Sequence, residues 1–142
     1  MIRKSAVLRC DRDRAFALFT ERASEWWPPS RRHTGDRESD VVLEPAGRFF
    51  ERARDGREVE LGRVLAWEAP ARLALDFYPG TGAEHPTHVV ISFTAVDGGT
   101  LVVVEHRPTP ASEALWDAGA PAFARSWDAV LAGLRAAGEA VA

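Results

Sequence analysis

Two hydrophobic periods divide this chain. Over residues 60–107 apolar and polar side chains alternate, first in ELGRVLAWEAPARLALDF and then, past a Gly/Pro-rich connection, in HPTHVVISFTAVDGGTLVVVEHR. A period of two belongs to strands with one buried face, so this stretch predicts three or four strands with little between them. Beyond it Phe123, Trp127, Val130, Leu131 and Leu134 recur at helical spacing. That stripe predicts an amphipathic helix running toward the end of the sequence.

The remaining elements follow from weaker signals. Residues 2–10 alternate loosely and predict a strand. Asp11 then stands where a helix N-cap would, ahead of the apolar face Phe16, Leu18 and Phe19. A second short helical piece over 21–27 is stopped by Pro28-Pro29. Residues 30–40 are polar, carry Arg31, Arg32 and Arg37, and predict an exposed loop with solvated arginines. Val41 to Leu43 and then residues 48–54 predict strands, with Asp55-Gly56 as a two-residue hairpin turn. Pro121 suits the first turn of the last helix. Strands joined by tight turns imply an antiparallel sheet, and the closing helix must cover its concave face. The fold class is α+β, a single domain over residues 1–142, with about six to seven strands.

Composition narrows the function more than the fold. The net charge of −3 gives no basic face for nucleic acid. One cysteine, Cys10, forms no internal disulfide and fits a reducing compartment. No apolar run approaches the ~18 residues of a membrane span, so a cytoplasmic protein is expected. Five tryptophans stand against one tyrosine and one methionine. Such indoles fill cores, and some of them line pockets.

The titratable residues offer no obvious reaction. Thr100, Val102, Val104 and His106 share one face of the last strand, so His106 looks inward if the valines do. It is a structural histidine, a polar anchor for a ligand, or an acid/base catalyst. His85 and His88 point to opposite faces of an extended segment and make a poor chelate. No metal or cofactor is expected. Glu51, Glu60 and Glu105 lie on strands and are expected to face solvent. Nothing resembles a nucleophile elbow or a phosphate-binding loop. On this reading no enzymatic reaction is assigned.

AFALFTERASEWWPP, the PAGRFFE turn, GRVLAWEAPARLAL, HVVISFTAVDGGTLVVVEHR and SWDAVLAGL occur in an order that carries a family likeness. The chain resembles the START-like, helix-grip superfamily (SRPBCC, the birch-pollen-allergen fold), and within it the branch of heat-shock-protein-90 ATPase activator homologues. That resemblance implies a curved antiparallel sheet wrapped around a long C-terminal helix, two short helices after the first strand, and a hydrophobic cavity between sheet and helix. It also implies that Trp26-Trp27 borders the cavity entrance. Phe49, Trp67, Phe77, Phe93, Phe123 and Trp127 divide between core and cavity wall. A binding protein for a small apolar or aromatic molecule is therefore expected. A cyclase or hydrolase using His106 is the alternative. A co-chaperone or homodimer module is the third reading.

Overall fold

The computed structural model describes residues 1–140, so the last two residues of the expected domain lie outside the description. Strand β1 (Ile2–Leu8) leads into helix α1 (Arg12–Phe19), which Asp11 caps by accepting from the Arg14 amide at 2.9 Å. Two 3₁₀ turns, Ala23–Glu25 and Pro29–Arg31, replace the expected second helical piece. Then come β2 (Asp40–Leu43), β3 (Arg48–Arg52), β4 (Glu58–Glu68), β5 (Arg72–Phe77), β6 (Thr87–Val96), β7 (Gly99–Pro108) and helix α2 (Glu113–Glu139). The strands form one seven-stranded antiparallel sheet in the order β1-β7-β6-β5-β4-β3-β2.

The alternation read along β6 and β7 holds in three dimensions. Val89, Ile91, Phe93, Val102 and Val104 all join the buried core between sheet and helices, and Thr100 and His106 share their face, fully buried. From α2 the residues Phe123, Trp127, Val130, Leu131 and Leu134 descend into that core. Their spacing places them on one side of the helix, which is why α2 lies along the concave face. Lys4 on β1 meets Asp128 on α2 at 3.0 Å, tying helix to sheet edge.

Helix α2 begins earlier than expected. It starts at Glu113, two turns before Pro121, which lies inside the helix. The intervening residues are rich in good helix formers. Trp116 anchors them by stacking on Phe123 and meeting the His106 ring edge-on at 5.1 Å.

One close approach constrains β4. A Cβ on Gly62 would sit 2.0 Å from the Asp76 carbonyl oxygen on β5, at the irregularity where the β3–β4 register shifts between Phe49 and Phe50. The obstacle is backbone, so no side-chain rotation relieves it. Gly62→Ala is expected to cost about 1–3 kcal/mol, read as a lower urea midpoint with unchanged slope.

Candidate functional site

His106 was the polar group expected to face inward, and its surroundings close around it. The Trp127 indole N–H donates to His106 Nδ1 at 3.0 Å. An indole can only donate, so Nδ1 must accept and the ring proton sits on Nε2. Nε2 in turn lies 2.7 Å from Thr87 Oγ1, and the Thr87 hydroxyl donates to the Phe77 carbonyl. The chain Trp127 → His106 → Thr87 → Phe77 O leaves no free lone pair or proton on the imidazole. Burial, with smaller contributions from His88 and the N-terminus, pushes the His106 pKa down to about 3. The ring is therefore neutral at any ordinary pH.

Aromatic rings fill the space around this network. Phe77 stands at the centre, 5.5 Å from the His106 ring, 5.6 Å from Trp127 and 6.0 Å from Phe49. Trp27 continues the line edge-on to Phe49 at 5.8 Å. Under α1 a second group forms, in which Phe16 meets Trp67 and Phe93 at 5.6 and 5.2 Å. Between sheet and α2 the space left near Trp27, Phe77 and Trp127 is a void of about 10 Å³. That is at the lower limit for a single water.

Larger spaces lie outside this void, among them a groove of about 530 Å³ beside Leu18, Trp26 and Gly133. A cleft of about 300 Å³ opens where the loop after Trp27 meets α2, floored by Phe77, Phe123, Pro79 and Ala122 and rimmed by Ser30, Arg31, Arg32, His33 and Ser126. Arg31, His33, Phe77 and Ser126 border both the cleft and the closed void. They are the partition between them. A broader hollow of about 740 Å³ lies on the other side of the loop. Its walls carry surface ion pairs such as Arg54–Asp36 and Arg57–Asp55.

The loop that carries Arg31 and His33 is held by two opposite charges. The Arg32 guanidinium donates to the carbonyls of Trp27 at 3.0 Å, Ser24 at 3.1 Å and Ser39. Glu51, expected to face solvent, is instead fully buried beneath the loop. Its carboxylate accepts from the amides of His33 and Thr34 and from the hydroxyls of Thr34 at 2.7 Å and Ser39 at 2.8 Å. Burial raises the pKa of this carboxyl, but the hydrogen bonds outweigh it and the net shift is downward. One residue thus satisfies four donors of the segment that follows the second 3₁₀ turn.

The residues singled out from the sequence divide in space. Phe77 and Phe123 reach the cleft, Trp27, Phe77 and Trp127 border the closed void, and Phe49 packs behind them. Val102, Val104 and His106 are completely buried and line neither opening. Trp67 and Phe93 belong to the group under α1. Trp26 packs on Trp27 with ring centroids 5.4 Å apart and lines a separate groove beside Gly133, its indole donating to the Leu18 carbonyl at 2.7 Å. Arg31, His33, Ser126 and Trp116 were missed. For Arg31 and His33 the only sequence signal was a polar loop directly after a Trp-Trp pair.

A curled antiparallel sheet gripping a long C-terminal helix, with short helices after the first strand, defines a START-like, helix-grip protein. The family described as "Activator of Hsp90 ATPase homolog 1-like protein" matches residues 9–139, and the chain belongs to it. No curated protein matches the sequence. Among solved structures, a Chromobacterium violaceum protein superposes with a TM-score of 0.67 at 18% identity, covering 99% of this chain and 98% of its own. A Mycobacterium smegmatis protein gives 0.66 at 17% identity, covering 99% and 91%. DynU16, from the dynemicin biosynthetic locus, gives 0.69 at 13% identity, with 95% of this chain matching 45% of that one. At these identities the likeness is one of fold. No helix in the described residues is long and apolar enough to cross a membrane.

Proposed function

We propose that this chain binds a small apolar or aromatic molecule, and that the cleft over Phe77 and Phe123 receives it. The observation that carries the reading is the contrast between two spaces: about 300 Å³ in the open cleft and about 10 Å³ inside. The cleft is at the small end of known ligand sites, with an apolar floor and a few polar groups at its edge, which is the usual composition of such sites. The family is consistent with a binding or cyclase-like fold. The closed hydrogen-bond chain on His106 speaks for binding over catalysis, since a general acid or base needs a ring nitrogen within reach of substrate.

Calorimetric titration with indole, naphthalene and naphthoate tests the reading. Saturable binding is expected, weakened about tenfold or more in Ala122→Phe, whose side chain would occupy the cleft from an exposed position on α2. Absence of heat for every compound would sink the proposal, and so would binding that ignores the cleft-filling variant. The family description favours a second reading, contact with an Hsp90-type chaperone. An ATPase assay of such a chaperone with and without this protein checks it: stimulation supports it and an unchanged rate removes it.

A further inference from the structure

The cleft lining contains Arg31, Arg32 and His33 and not one carboxylate, in a chain whose net charge is −3. The closed void beside it is likewise without an acid. Arg32 has its donors committed to the carbonyls of Trp27, Ser24 and Ser39. Arg31 differs. Among the described residues its side chain makes no ion pair, and its Nε is buried without any hydrogen-bond partner.

An unpartnered guanidinium nitrogen out of water costs stability, and proteins rarely leave one so. Every other arginine side chain that is pinned on this protein has either a carboxylate or a set of carbonyls, as Arg48, Arg54 and Arg57 illustrate. Arg31 borders both the cleft and the inner void, with its Nε buried between them. Its neighbours there are the Phe77 ring and Ser126. Partial desolvation lowers the His33 pKa, with Glu51 opposing and Arg31 adding, so Arg31 supplies the fixed positive charge.

We infer that the cleft takes a small aromatic carboxylate, its ring over Phe77 and Phe123 and its carboxylate on the Arg31 guanidinium. A planar fork of donors matches a carboxylate in a bidentate pair, and such pairs are stronger than neutral hydrogen bonds. Ser126 lines the same cleft from α2. Arg31 thereby sets the ligand's polarity and orientation, while the rings supply its contact area. This inference rests on the binding reading above and adds the charge of the ligand to it.

The test compares 2-naphthoate with its uncharged amide, 2-naphthamide, on the wild type, Arg31→Met and Arg31→Lys. Affinities come from calorimetry, and thermal melting confirms that each variant is folded. The acid is expected to bind wild type about tenfold or more tightly than the amide. Arg31→Met should abolish that preference by weakening the acid far more than the amide, since its side chain keeps the apolar stem and loses the charge. Arg31→Lys should keep the charge, lose the fork, and fall between. Equal binding of acid and amide, or an acid preference that survives Arg31→Met, overturns the inference and leaves the binding reading standing. If neither compound binds wild type, both fall together. Should both Arg31 variants fail to fold, the wild-type preference still decides: a ratio near one overturns the inference.

Discussion

Replacing Glu51 with alanine is expected to cost about 3–5 kcal/mol of folding stability, far more than a strand carboxylate usually does. The change strands the amides of His33 and Thr34 and the hydroxyls of Thr34 and Ser39, all of which the carboxylate now accepts from. It also leaves the neighbouring Arg32 guanidinium without its buried counter-charge. Glu51→Gln keeps the volume but turns an amide NH₂ toward groups that are themselves donors, and about 2 kcal/mol should be lost. Urea unfolding of the three proteins measures both. A Gln variant within about 0.5 kcal/mol of wild type would show that the charge is not what holds the loop.

The acid dependence of this site has a definite sign. Glu51 titrates lower in the folded protein than an ordinary carboxylate. Its contribution is therefore complete above the unfolded-state value of about 4.3 and disappears as pH falls through the lower folded value.

The second large effect comes from His106 and sets in at milder acidity. Its folded pKa of about 3 lies well below the ordinary 6.5, so between those values the unfolded chain binds a proton that the folded chain refuses. Stability should fall with pH over that window by about 1.4 kcal/mol per unit, and by roughly 4–5 kcal/mol in total. Above pH 7 His106 should make no pH-dependent contribution. His106→Gln removes the titrating group, so its stability should be flatter between pH 6 and 4 than wild type by about that slope. Trp127→Phe deletes the donor that occupies Nδ1 and frees that nitrogen to accept a proton. Its acid loss should be shallower than wild type. Denaturant midpoints at stepped pH read all three, and an identical slope in His106→Gln would mean that the acid sensitivity arises elsewhere.

What could be read from the sequence was whatever the local period controls. Alternation put Val102, Val104 and His106 on one shared face, and spacing put Trp127 and its helical partners on another, and both faces are buried. Asp55-Gly56 falls in the connection between β3 and β4 as expected, but β3 ends at Arg52 and β4 starts at Glu58, so the turn is longer than two residues. Three things had no such signature. The burial of Glu51 depends on a loop folding over it, and two of its partners are backbone amides, which every sequence contains. The early start of α2 rests partly on Trp116 meeting His106, a contact with no local cue, although Trp116 also stands seven residues before Phe123 on the same helical stripe. Whether the interior holds a ligand-sized cavity depends on how Trp27, Phe49, Phe77 and Trp127 pack, and side-chain torsions are set by neighbours far along the chain. The alternating strands implied an enclosure and left its volume open.

The strand order has a consequence for self-association. A sheet that does not close on itself leaves two edges whose free amides and carbonyls can recruit another chain. Here those edges are β1 and β2. The β2 edge is four residues long and opens with the charged Asp40. The β1 edge carries Arg3 and Lys4, and the Lys4–Asp128 contact draws α2 alongside it. Neither offers a long uncharged ladder, which guards the protein against edge-to-edge aggregation.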